Sequence, residues 1–243
     1  MEWYRGPEGD QRVWYELDEI ERIMSDEIRR SGQRLSLERP VPDLELFVEN
    51  HLKADLDQYA ALPEDVLGLT QFEPGKPPVM KLNATLTEAA DTEAPESGKR
   101  GRWRATLAHE AAHVLLHRYL FDPAMAQVQR GDFRDPEPAA IQSGGLMRCL
   151  HRDIALPTQG STRTSRDWRE VQANRGMAAL LMPTNIFRRT TIRAIGDLSL
   201  GVVREDSDDE VLLTQTMATK FDVSRQAAQL RLRGLSLVEL IAR

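Results

Sequence analysis

Thr106 to His117 reads TLAHEAAHVLLH, and no other stretch of the chain restricts its fold and chemistry as tightly. The apolar positions predict a helix. Residues four apart on a helix lie about 40° apart in projection, so His109 and His113 present their imidazoles to one side and can bind a single metal ion. Glu110, about 100° further round the axis, is set beside such an ion as a base for water rather than as a ligand. Three of the five histidines, His109, His113 and His117, fall in this segment. In a helix this apolar, two imidazoles and a carboxylate need partners.

A chain of 243 residues with 41% hydrophobic content can build a sizeable core. Its net charge of −6 argues against a protein that coats nucleic acid or anionic membrane. The single cysteine, Cys149, excludes an intramolecular disulfide. The amino terminus MEWYRGPEGD lacks the basic-then-apolar pattern of a signal peptide, and no apolar run approaches the ~20 residues of a membrane span. A water-soluble, cytoplasmic protein is expected.

Ahead of the histidines, Trp14, Leu17, Ile20, Met24 and Ile28 recur at helical spacing, which predicts a helix over 13–31 stopped by Gly32. Asp43 can cap a shorter helix whose Leu44, Phe47, Val48 and Leu52 share one face, with His51 on the exposed surface. VLGLTQF and VMKLNATL, joined by a proline-glycine turn, predict a β-hairpin over 66–83, which could offer an edge strand to an extended peptide. Residues 88–98 read as loop. Lys99, Arg100, Arg102 and Arg104 then surround Trp103, and a solvated flank and a contact to phosphate or acidic peptide both remain open.

Residues 122–165, rich in Pro, Gly, Gln and Ser, read as loop with at most a short helix near 138–147. Cys149 and His151 lie here without further partners at ligand spacing, so they are read as structural. Ser165 is placed to cap a helix ending before Pro183. A site built on two histidines needs a third protein ligand, and Glu170 on this helix is the favoured one. Asn174, one turn on, can hydrogen-bond across to the histidine helix. The rival is His117. A rigid helix carries it about 6 Å further along the axis, and three successive turns of one straight helix rarely converge on a tetrahedral ion.

The remainder reads as helical. Thr184 is placed to cap a helix that turns Ile186, Phe187 and Ile195 inward, Ser207 and Glu210 form a capping box, and Ser224 caps RQAAQLRLR. The last two helices resemble a helix-turn-helix. Arg225, Arg231 and Arg233 give only a modest basic face, and acidic side chains outnumber basic ones over 204–243. A packing or docking role is expected there, and direct nucleic-acid binding is not.

RWRATLAHEAAHVLLH (102–117), WREVQANRGMAALLMP (168–183), LPEDVLGLTQF with KLNATLTE, and FDVSRQAAQLRLRGL together resemble the ImmA/IrrE family of metallopeptidases over most of residues 40–240. The resemblance implies Zn²⁺ held by His109, His113 and Glu170, with Glu110 catalytic. It also implies a helix-turn-helix transcriptional repressor as the cleaved partner, at a mobile-element or stress locus. Two positions depart from the family pattern: Ala112, where glycine is usual, and Gly176-Met177, where an aromatic-alanine pair is typical.

The expected architecture is a zincin-like α+β fold. It has a small antiparallel sheet, a central HExxH helix and a helical C-terminal region, divided into a metallopeptidase domain over 1–183 and a helix-turn-helix-like region over 184–243. The expected activity is that of a zinc endopeptidase. The alternative is a non-proteolytic regulator acting on a repressor or on DNA through its C-terminal helices. Tyr119, His151 and Arg152 are candidate oxyanion donors by residue type alone.

Overall fold

Strands β1 (Glu2–Arg5) and β2 (Gln11–Trp14) form an antiparallel hairpin at the start of a computed structural model that describes residues 2–5, 11–92, 98–121, 145–150 and 168–239. Helix α1 (Leu17–Arg30) buries Ile20, Met24 and Ile28, the stripe expected from their spacing. It starts later than the sequence suggested, because Glu16 and Glu19 form a reciprocal capping box and residues 11–14 pair as strand instead. Gly32, at φ +81°, supplies the left-handed stop.

Asp43 caps α2 (Leu44–Leu46) by accepting from Leu46 N–H at 2.9 Å, and the helix runs on as one π-helical turn, Phe47–His51. Leu44, Phe47, Val48 and Leu52 are all buried. His51 is not the free surface histidine that was expected. Its Nε2 lies 2.7 Å from Glu27 Oε2 on α1, and the ring is half-buried against Phe47.

The sheet contains β3 (Asp55–Ala60), β4 (Val66–Phe72), β5 (Val79–Asn83) and β6 (Gly145–Leu150), in the order β3-β5-β4-β6. The β4–β5 hairpin has the antiparallel pairing read from the sequence, with Thr70 opposite Met80. The sheet is mixed rather than antiparallel, since β3 runs parallel to β5. The hairpin is not an edge either: β4 and β5 are interior strands, and among the described residues the edges are β3 and β6. Strand β6 also replaces the loop or short helix expected around 145–150, while residues 138–144, His151, Arg152 and Ser165 lie outside the described residues.

Asn83 caps α3 (Ala84–Ala90), so the expected loop at 88–98 is helical as far as Ala90. Helix α4 (Lys99–His117) then crosses the molecule with most of its residues buried, which is why its sequence shows so little polar face. Its first turns hold the basic cluster. Arg100 Nε pairs with Asp222 Oδ2 at 2.9 Å, Arg104 is buried 3.7 Å from the same oxygen, and Trp103 is buried. That half of the cluster therefore serves packing.

Helices α5 (Trp168–Leu181), α6 (Thr184–Asp197), α7 (Asp208–Phe221) and α8 (Arg225–Gly234) complete the described chain. Pro183, not Thr184, sits at the cap position of α6; Ile186 and Phe187 are buried, and Ile195 is partly buried against the core. Ser207 and Ser224 cap α7 and α8 as expected, although Glu210 turns back to Asp206 N–H rather than to Ser207. Arg231 is buried on Glu21 of α1, with its Nε 3.1 Å from the Met182 carbonyl. Arg233 binds Glu210 at 2.7 Å and Asp206 at 2.8 Å. One apolar cluster runs from Val13 through α4 and α5 to Val238.

Helices α4 and α5 pack closely because of two small residues. A Cβ added at Gly176 would stand 2.7 Å from Ala112 Cβ and 2.9 Å from Met24 Cε. The Met24 methyl can swing away, but the Ala112 methyl is fixed to the α4 backbone. Gly176→Ala is therefore expected to cost about 1–3 kcal/mol by overpacking. Adding Ala112→Gly should recover the clash term, and the helix propensity of about 1 kcal/mol lost at 112 is offset by that gained at 176, so the double variant should return close to wild type. Urea denaturation of the four members of that cycle should show strong coupling, and additive losses would mean the two positions do not share one space.

Candidate metal centre

His109, Glu110, His113 and His117 occupy successive turns of α4, and all four are fully buried. Glu170, in the first turn of α5, lies across from them with its side chain 22% exposed, which gives the cluster its outlet to solvent. His109 Nε2 and His113 Nε2 are 3.0 Å apart, and Glu170 Oε2 is 3.1 Å from the first and 3.6 Å from the second. A tetrahedral ion with ligands at about 2.0–2.1 Å needs donor atoms about 3.3 Å apart, so the three positions match the ligand face of such an ion. Among the described residues this is the His/Glu group that can hold a metal. His117 is not part of it. Its Nδ1 sits 2.9 Å from His113 Nδ1, on the ring edge opposite the cluster, and its Nε2 lies 3.1 Å from Gln172 Oε1.

The hydrogen bonds leave the ligand lone pairs bare. Asn174 Oδ1, 3.1 Å from His109 Nδ1, accepts that N–H and so keeps the proton off Nε2, as the spacing of Glu170 and Asn174 suggested. Two imidazole lone pairs and a carboxylate oxygen then face one another, an arrangement that calls for positive charge. For the metal-free cluster this shows in the proton affinities. Burial opposes protonation of His109, but the Glu170 hydrogen bond, the nearby Glu110 and Glu170 charges and Asn174 lift its pKa above the usual histidine value. His113 and His117 are lowered, chiefly by burial. Burial also works against the Glu170 carboxylate, yet its bonds to both histidines hold it far below the carboxylate range.

Glu110 sits apart from this pairing. Burial, with the Glu170 charge adding to it, pushes its carboxyl up to about 7 against the opposing pull of His109 and Thr70. Thr70 Oγ1 donates to Oε2 at 2.5 Å from the middle of β4. The other oxygen, Oε1, is buried without a hydrogen-bond partner. Gly68 makes this approach possible: a Cβ there would meet Thr106 Cγ2 at 2.8 Å and Glu110 Oε1 at 3.2 Å. An orphaned carboxylate oxygen beside a cradle kept open by glycine, next to three converging donors, fits a metal-and-water site.

Thr70, Gly68 and Gln172 were not singled out in the sequence. The one available sign was Gly68, since a glycine inside a strand pattern often marks a close approach to the backbone. Tyr119, the one oxyanion candidate among the described residues, places its hydroxyl 3.0 Å from Val13 N and accepts from that N–H. Cys149 lies on β6 opposite Gly68 in the ladder. No described helix is long and apolar enough to cross a membrane. Compared with family models, curated proteins and solved structures, the chain matches none of them.

Proposed function

We propose that the chain is a zinc-dependent endopeptidase with a zincin-type site, of the kind its resemblance to the ImmA/IrrE family implies. The observation that carries this reading is the pairing of three bare donors, His109 Nε2, His113 Nε2 and Glu170 Oε2, with a neighbouring carboxylate that binds none of them. A zinc ion held there would polarise a scissile carbonyl and lower the pKa of water. Glu110 is the base: Thr70 fixes Oε2, and Oε1 is left to take a proton from water and hand it to the leaving amine. The packing that supports Glu170 accommodates both departures from the family pattern at once, because Ala112 and Gly176 meet each other.

Among the described residues, strand β6 is the edge nearest this chemistry. It pairs with β4, and its Met147 stands opposite Thr70, the residue that holds Glu110. An extended peptide added to β6 would lie along the site, so the scissile segment must leave any helix before it is cut. The C-terminal helices give the DNA-binding alternative little support, since Arg231 and Arg233 are committed to internal acids and only Arg225 of the three is exposed.

For the substrate we take a helix-turn-helix repressor encoded beside this chain, cut in an exposed segment. Incubating the two purified proteins with Zn²⁺ should give one or two discrete cleavage sites by mass spectrometry, abolished by chelator. A repressor that stays intact but loses its operator only in the presence of this protein would favour sequestration over hydrolysis.

A further inference from the structure

A hydrogen-bonded chain runs inward from the amino-terminal strand to the metal cluster, and its direction is fixed at the outer end. Gln172 Nε2 lies 3.0 Å from the carbonyl oxygen of Val13 in β2. A backbone carbonyl only accepts, so the amide nitrogen must face it, and Gln172 Oε1 is thereby turned toward His117 Nε2 at 3.1 Å. His117 Nε2 must then carry the hydrogen. A neutral imidazole has one N–H, which makes His117 Nδ1 an acceptor for His113 Nδ1–H at 2.9 Å. His113 Nε2 is left without a proton, facing His109 Nε2 and Glu170.

Each link is held in place. Val13 is fully buried, and its N–H is donated to the Tyr119 hydroxyl at 3.0 Å, so both its polar groups are bound to the body of the protein. The Trp168 and His117 rings pack in a T-shape with centroids 5.5 Å apart, and Gln172 and His117 are fully buried.

We infer that Val13, Gln172 and His117 are positioning residues for the metal site, the strand β2 carbonyl setting the tautomer that leaves His113 Nε2 free to bind metal. This rests on the metal reading of the cluster, and it gives the amino-terminal hairpin a part in that site. A glutamic acid at 172, kept protonated by the Val13 carbonyl it faces, would donate to that oxygen and still accept from His117 Nε2–H, whereas a leucine would release His117 to either tautomer.

The test uses the full-length, metal-free protein and Zn²⁺ alone, titrated against a competing chelator. Gln172→Leu is expected to weaken Zn²⁺ binding by about 10-fold, the lower end of the cost of losing a direct partner of a ligating histidine because His117 itself stays in place, while Gln172→Glu should stay within about twofold of wild type. Long-range ¹H–¹⁵N correlation of the imidazoles in the metal-free wild type should show His113 and His117 in opposite tautomers, His113 protonated on Nδ1 and His117 on Nε2. Equal losses for the two variants would reduce Gln172 to a packing role and overturn the inference. So would a wild-type His113 protonated on Nε2, a result that needs no variant to fold. A chain with the expected tautomers that binds no Zn²⁺ would sink the peptidase reading and leave the hydrogen-bond chain standing.

Discussion

Glu110→Gln is expected to abolish peptide cleavage, by about 10²- to 10⁴-fold or more, while leaving the fold and the metal affinity close to wild type. The amide oxygen can still accept from Thr70 Oγ1, and the carboxylate that is lost contributes nothing to the donor set of His109, His113 and Glu170. What disappears is the oxygen that can take a proton. Stability should separate this from a folding defect. In the metal-free chain the Glu110 carboxyl is raised from the ordinary 4.5 to about 7, because burial disfavours the charge. A raised carboxyl pKa contributes stability that is complete below 4.5 and is lost as pH rises through about 7. Wild type should therefore fall relative to the Gln variant across that window in chemical denaturation. A variant that cleaves at near wild-type rate would remove Glu110 from the base role.

Glu170→Ala should lower Zn²⁺ affinity by well over the roughly 100-fold that an outer partner is worth, since it removes one of three protein donors. His117→Ala should still bind one ion per chain at saturating zinc, with the smaller loss expected of a positioning residue. The geometry behind this is direct: Glu170 Oε2 is within 3.6 Å of both ligand nitrogens, whereas His117 touches only the far edge of His113. Equilibrium dialysis of the two variants against a zinc buffer decides between them. The reverse order would move the third ligand to His117 and dissolve the assignment of Glu170.

These expectations were open to sequence reasoning because they depend on regular helices. The spacing of His109 and His113, and of Glu170 and Asn174, is fixed by 3.6 residues per turn, so the sequence already states which side chains share a face. What crosses between elements is different in kind. The partner of His51 is Glu27, on a separate helix, and no local pattern announces it. Strand β3 was missed because an edge strand with one solvated face can carry Asp55 and Asp57 and still pair. Its parallel alignment with β5 depends on a chain reversal that leaves no periodic trace. The hairpin at 66–83 was legible as a hairpin, but its interior place required β6, which comes from a stretch of loop-like composition. Thr70 shows the same limit. Its role comes from the register of β4 against α4, and the sequence offered only an ordinary strand threonine.

His109, His113 and Glu170 are expected to bind one metal ion together. X-ray absorption at the zinc edge, on full-length protein loaded with one equivalent of Zn²⁺, tests it most directly. One tightly held ion per chain is expected, with a shell of two imidazole nitrogens and carboxylate or water oxygen at about 2.0–2.2 Å and no sulfur. That signal should persist in Glu110→Gln and collapse in Glu170→Ala. A zinc–sulfur distance near about 2.3 Å would contradict it by placing the ion at Cys149, and a chain that retains no zinc after dialysis would leave the histidine cluster without the ion its geometry fits.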